Sequence, residues 1–400
     1  MNVASAGDGV KDRFGVLEDD TMRPVIEVRK GGVEAIREMA EEWRLLCEEG
    51  RFNQPYYRPE WVEAFLRNYC GKNVIFIISA RTKGRLTSVL PLIPRERTVI
   101  SGLKVNTWCG PSMPDGWPTD IVVASGPEGE AAVPAIWRTL EGLPGWDILE
   151  LPNVPSGGAA ENLIGFAAMA GCPTYRWQYM NTPTISLAGW DGGEPLRLAR
   201  SKNLRHTIRR ILNKVGDGNL VLRRFDLATD EVFEKFYAIE QKSWKGKEGK
   251  TVAGDGKLRG FYTDVAKEAG SYGYLSFYFL ELNGREIASR LALTQGGRYH
   301  EMECVHDEEF DEYAPGHLMI NEILRDCGRR GISEISFSGH SFEHKERWTS
   351  ASRPHSNLYI FRNNLYGRAL YAAKYVIRPY IKKMKEVMSR KNPSCVNPSN

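Results

Sequence analysis

No apolar run in this 400-residue sequence approaches the ~18 consecutive residues needed to cross a bilayer. Runs such as VIFII at 74–78 and SVLPLI at 88–93 have the length of strands, so no transmembrane span is expected. The opening MNVASAGDGVKDRFG lacks the apolar centre of a secretory signal and reads as a loose tail over residues 1–24. Charge of one sign is scarce too. Fifty-four Lys and Arg against 50 Asp and Glu leave a formal charge of +4, too little to point to DNA. The seven cysteines (47, 70, 109, 172, 304, 327 and 395) form no C-x-x-C pair and are odd in number. That speaks against a disulfide framework and for thiols in a reducing, cytoplasmic setting. There is no HExxH and no cysteine cluster, so no metal is expected. GKT at 249–251 fails as a phosphate loop, because Trp244 stands where the earlier glycine is needed.

What is present is an ordinary globular composition, 42% hydrophobic and 26% charged, in a chain long enough for two domains of ~100 to 200 residues. A helical pattern places Val33, Ile36, Ala40, Trp43 and Cys47 on one face, and a second helix carries Trp61, Phe65 and Tyr69. Strands are expected at NVIFIIS, LTSVLPLI, TVISG or VNTWC, DIVVAS and WDILELPNV, with a helix around Ala132 to Leu140. The layout then recurs. Gly84-Arg85 returns as Gly284-Arg285, 200 positions on, and the helix from Glu60 returns from Lys257, 197 positions on. A helix over 229–243, capped by Thr229, answers that over 33–47, and GYLSFYFLEL and EIASRLALT answer the first strands. The Pro- and Gly-rich stretch from Leu151 to Pro195 reads as the end of the first unit and a crossing linker, with one short helix near Asn162 to Met169.

The stretch from Tyr299 to Trp348 carries the most chemistry. It reads as strand, acidic loop, Tyr313-Ala314-Pro315-Gly316-His317-Leu318 turn, amphipathic helix, strand, and a polar loop closing on Lys345 and Trp348. Proline and glycine at a helix start leave N–H groups outward at the positive end of the dipole, a cradle for an anion. Alternation along the strand puts Tyr299, Glu301 and Glu303 on one face and His300, Met302 and Cys304 on the other. Ser201 to Val215 forms a helix with Arg205, Arg209 and other cations opposite its apolar face, the strongest basic concentration in the chain. His340 and His344 have metal-clamp spacing, but SGHSFEH reads as loop.

The order of strand, Pro-Gly turn, helix, strand and His-Lys-x-x-Trp, together with SKNLRHTIRRILNKV, EQKSWKGKEGK and GREIASRLAL, resembles the CelD/BioF2-like acetyltransferases. These are a branch of the GNAT superfamily related to the Fem-type peptidyltransferases. The resemblance covers residues 180 to 350 by motif and the first half by layout. It implies an α/β fold of two tandem GNAT-like (acyl-CoA N-acyltransferase) domains, mixed twisted sheets flanked by helices, over 25–190 and 191–365, followed by a basic helix and tail over 366–400. It implies acyl transfer from acetyl-CoA or another acyl-CoA to an amine or hydroxyl of a sugar or envelope precursor. Tyr313 to Leu318 would hold the donor, Glu303 would take the proton and Lys345 would act at the acceptor groove. Trp244, Lys245, His340, Trp348, Arg205 and Arg209 would contact substrate. The sequence departs from the superfamily's Arg/Gln-x-x-Gly-x-Gly/Ala, keeping only the last glycine in Asp-Glu-Tyr-Ala-Pro-Gly, and Ser336 and His344 replace a frequent Asp and Tyr. Two alternatives stay open: an aminoacyl-tRNA donor, as in the Fem-type proteins, and a non-catalytic scaffold with a degenerate cleft. The C-terminal helix either docks on the protein or lies on an anionic membrane surface.

Overall fold

A computed structural model describes residues 23–50, 53–71, 74–98, 104–112, 116–216 and 218–377. Most of the expected N-terminal tail and the basic end beyond Ile377 lie outside the described residues. Strands β1 (Val25–Gly31), β2 (Ile75–Thr82), β3 (Arg85–Thr98), β4 (Lys104–Cys109), β5 (Val122–Val123), β6 (Ile148–Pro155) and β7 (Thr174–Ser186) come first. They are followed by β8 (Leu220–Phe225), β9 (Leu275–Leu282), β10 (Arg285–Gln295), β11 (Arg298–His306), β12 (Glu334–Ser336) and β13 (Ser352–Phe361). The first half carries helices α1 (Val33–Arg37), α2 (Ala40–Glu49), α3 (Pro59–Tyr69), α4 (Pro127–Gly142) and α5 (Ala159–Met169). The second carries α6 (Lys202–Val215), α7 (Asp230–Gln241), α8 (Trp244–Glu248), α9 (Gly256–Ser271), α10 (Pro315–Arg329), α11 (Glu343–Glu346) and α12 (Leu365–Tyr371).

The strands join one sheet in the order β1-β2-β3-β4-β6-β13-β7-β12-β11-β10-β9-β8, with β5 added beside β3. This order is a palindrome of two GNAT-like units, each an antiparallel meander followed by one parallel pair, β4 with β6 and β11 with β12. The matched hairpins turn the same way. Lys83 and Gly84 have φ of 53° and 80°, and Asn283 and Gly284 have 52° and 78°, the double left-handed turn that suits twisted strands. At the centre the units exchange strands. β7, from the first half, pairs with β12, and β13, from the end of the second, pairs with β6; the two then pair with each other.

The sheet's faces are covered unequally. On one face α1, α2 and α3 share a single apolar core with α7 and α9, where Trp61 meets Phe261 at 4.9 Å between ring centres. On the other, α4 and α5 cover the first half and α6 and α10 cover the second, each with a separate core. α6 shows how such helices are specified: Leu204, Ile208 and Ile211 are buried at 3.6-residue spacing, and the Ser201 hydroxyl accepts from Leu204 N–H to cap the start.

Three sequence expectations change. The helix over 33–47 is broken at Glu38 and Met39 into α1 and α2. The stretch taken as a crossing linker contains β7, a 13-residue central strand, because strand pairing on both sides outweighs its Pro and Gly content. DIVVAS shortens to the two-residue β5, and KVNTWC supplies β4. The described part of the C-terminal segment docks, with Tyr371 and Tyr375 packed against Phe361, Tyr359 and Tyr175.

Candidate active site

The second unit opens where its parallel pair ends. β11 and β12 are paired only from Arg298–Glu334 to His300–Ser336; β11 then runs on to His306 while the chain after Ser336 leaves the sheet. The result is a wedge, with α10 beginning at its wide end. Ala314, in the left-handed region at φ 46°, turns the chain so that Pro315 takes the first helical position. A Cβ added to Gly316 would meet nothing within 4 Å, so its face of the turn is open. The cleft there has a volume of about 340 Å³ and is walled by Arg290, Cys304, Ala314, Pro315, Gly316 and His317, with Trp244 and His344 at its sides.

The sequence called for a phosphate cradle beneath an acidic loop. Each carboxylate of the loop has a partner, a cation in every case but one. Asp307 and Glu309 meet Arg285, Glu308 meets Lys247, Asp311 meets His306, and Glu312 meets Lys214. Among the described residues, the equivalent helix start in the first unit does not offer the same opening. Glu128 and Glu130 occupy the first turn of α4, and a Cβ on Gly129 would stand 2.0 Å from the Ala124 carbonyl oxygen.

Arg290 escaped notice in the sequence, although a single cation inside the apolar strand REIASRLAL was the signal for it. It is buried, ion-paired with Glu301 on the neighbouring strand, and its Nη2 reaches the Gly316 carbonyl at 3.3 Å, tying the turn to the sheet. His317 was read as part of the cradle, and its ring has a defined role. Trp348 Nε1–H donates to His317 Nδ1 at 3.0 Å. An indole is only a donor, so Nδ1 is the acceptor and the ring's own proton stands on Nε2. Burial, with Arg290 and other cations nearby, pushes protonation of this histidine down to about 4, keeping it neutral.

Glu303 does not stand as alternation places it. Ala292 pairs with Glu301 and Leu291 with Glu303, leaving Met302 as a bulge. The extra residue turns Glu303 away from the Arg290 and Glu301 side. Its carboxylate lies against Lys245, and Oε1 also accepts from Cys304 N–H at 3.0 Å. Although burial disfavours the Lys245 charge, Glu303 and Cys304 hold its pKa above the usual lysine range. Lys345 is likewise engaged. Its buried Nζ donates to the carbonyls of Phe337, Ser338 and His340 at 3.0, 2.8 and 3.4 Å. These belong to the loop that departs from β12, so the ammonium braces backbone left without a strand partner. Burial pushes Lys345 down to about 8.

The remaining candidates divide. Leu318 is buried in the α10 core, and Tyr313 sits beneath Lys214, whose Nζ is 4.7 Å from the ring centre. His340 faces Tyr179, while His344, on the short helix α11 that replaces the expected loop, lines the cleft. Arg205 and Arg209 are not brought to the cleft: Arg205 donates to the Ala199 carbonyl, and Arg209 pairs with Glu194 on the outer face of α6. Among the described residues no group of three or more His, Cys, Asp or Glu is arranged to hold a metal ion, and no helix is long and apolar enough to cross a membrane.

The architecture has the GNAT fold, and the second unit matches the family model described as acetyltransferase (GNAT) domain over residues 202–346. Among solved structures the chain is similar to FemX, at 11% identity and a TM-score of 0.58, over 86% of this chain and 99% of that one. It is also similar to the C-terminal domain of a putative lysylphosphatidylglycerol synthetase from Agrobacterium fabrum, at 10% identity and a TM-score of 0.51, over 84% and 96% of the two chains. A conserved protein of unknown function from Bacteroides thetaiotaomicron gives 12% identity and 0.52, over 84% and 100%. At such identities the likeness is one of fold. None of the curated proteins matches this chain in sequence.

Proposed function

We propose that the protein is an acyltransferase that moves an acetyl or longer acyl group from an acyl-CoA to an amine or hydroxyl acceptor. The observation that carries this reading is the wedge between β11 and β12 with the open α10 turn beneath it. Thioester donors need a site for the pyrophosphate, a hydrogen-bond donor for charge building on oxygen, and an outlet for the acceptor's proton. The turn at Ala314 to His317 offers the Gly316 N–H at the positive end of the helix, since the Ala314 and His317 N–H groups are bonded to the carbonyls of Asp311 and Ala314, and Arg290 stands beside it. His317 Nε2–H adds a neutral donor toward an oxygen of the bound donor. Lys345 keeps the wedge open. Glu303 receives the proton as its pair with Lys245 separates, so Glu303→Gln is expected to lower kcat about 100-fold or more with donor binding unchanged.

Calorimetric titration with acetyl-CoA and desulfo-CoA tests the donor. Because a side chain at Gly316 enters open space rather than the protein, Gly316→Trp is expected to fold normally and abolish binding. Absence of heat from the unaltered protein with any acyl-CoA, or full binding by Gly316→Trp, would overturn this reading.

A further inference from the structure

The other face of the wedge holds a second, enclosed site. His300 is the last β11 residue paired with β12, and its side chain points away from α10 into the core shared by the two units, 5.3 Å from the Tyr56 ring. There it lines a cavity of about 20 Å³, room for a single functional group, together with Asn153, Thr182, Thr184, Ser338 and His355. Every strand at the sheet's centre contributes: Asn153 from β6, the threonines from β7, His300 from β11 and His355 from β13.

Two polar atoms in this wall are without a partner among the described residues, His300 Nε2 and Asn153 Oδ1, on side chains 97% and 99% buried. Unpartnered polar atoms at that depth are costly unless something fills them. The socket is also without free charge. Its one ionised side chain, Arg353, is held by both carboxylate oxygens of Glu334, and both imidazoles are kept neutral by burial. A groove of about 420 Å³ shares Gly116 and Asn153 with the socket and is lined by Phe65 and Tyr69, whose rings stack, and by Arg95, Tyr179, Asn357 and Glu150. The Tyr69 and Tyr179 rings beside amides, a carboxylate and a guanidinium, ending in a hydrogen-bonding socket without free charge, match a ring with apolar faces and a rim of hydroxyls.

We infer that this socket and groove bind a carbohydrate, whose hydroxyl or amino group seats between His300 and Asn153 and meets the acyl donor through the gap where β11 and β12 part. The inference names the acceptor class and rests on the acyl-transfer reading only for what becomes of the sugar. The socket adjoins the donor cleft's brace, since the Ser338 that lines it accepts from Lys345 at its carbonyl and shares a hydrogen bond between its hydroxyl and that of Tyr56 at 3.2 Å. An aminated or hydroxylated sugar so held attacks the thioester carbon, forming the new C–N or C–O bond as the C–S bond breaks. The acceptor proton passes to the Glu303 carboxylate and CoA departs as the thiolate, which takes up that same proton to leave as the thiol and restore the base.

Saturation-transfer NMR on the full-length protein with glucosamine, N-acetylglucosamine and cellobiose tests this, with glucose 6-phosphate and trialanine as comparisons. Transfer to at least one neutral or amino sugar is expected. It should fall at least 10-fold in His300→Phe, which keeps the ring volume, and in Tyr179→Ala, which alters only the groove. It should persist in Gly316→Trp. Sugar binding that survives while acetyl-CoA binding fails supports this site and removes the proposed activity. No transfer to any of the three sugars, equal transfer in both variants, or preference for the phosphate or the peptide would overturn the inference.

Discussion

At the scale of single residues, the proposed socket is built from groups whose protonation is fixed by burial. His300 and His355, 3% and 4% exposed, are pushed by burial from an ordinary 6.5 to about 3 and about 4. The unfolded chain takes up protons on these rings below pH 6.5, and the folded chain does not until far lower. Their contribution to stability is therefore complete above pH 6.5 and declines as the pH falls toward 4. Between pH 6.5 and 5 each is expected to remove about 2 kcal/mol, so a His300→Phe protein should lose less stability over that interval in urea titrations than the unaltered one. The same residues show what sequence reveals. That Lys345 and Trp348 fall beside the chain leaving β12 and the turn before α10 was legible from their order after the second strand. That Lys345 spends its donors on three carbonyls, and that Trp348 sets the His317 tautomer, depends on contacts across 31 positions or on local loop geometry that no spacing encodes.

At the scale of elements, repetition was legible where local chemistry dictates it. The hairpins at Gly84 and Gly284 need left-handed turns, and the caps at Thr229 and Ser201 carry their own hydrogen bonds. The Met302 bulge was not, because one extra residue in a strand leaves no compositional trace yet turns the next side chain to the opposite face. Strands β7 and β13 were missed for a related reason: a centre strand that crosses between units carries polar residues such as Asn357, Thr182 and His355 on its buried stretches. The turn before α10 depends on the Arg290–Glu301 pair behind it. Arg290→Ala strands a buried carboxylate, and a loss of roughly 3–5 kcal/mol in chemical denaturation is expected, together with weaker donor binding. An Arg290→Met, Glu301→Leu double variant should regain most of the stability and not the binding; recovery of both would show that the cation is only structural.

At the scale of the whole molecule, the units share one apolar core and trade their last strands. Division into 25–190 and 191–365 follows the repeat, yet either piece alone would bring a strand whose partners lie in the other. Expressed separately, residues 1–190 and 191–400 are expected to aggregate or melt without cooperativity, and to form a soluble complex when produced together; a cooperative melt from either piece alone would count against the shared core.

The exchange also sets a schedule for synthesis. β6 ends at residue 155 and its partner β13 begins at 352. At ~5–20 residues per second the ribosome takes about 10–40 s to supply the missing strand. For that time a nascent chain carries an unpaired strand edge beside an incomplete apolar core, the kind of surface that recruits other chains. Slow codons or a holding chaperone acting within residues 156–351 would therefore change the yield of folded protein without altering a single contact in it.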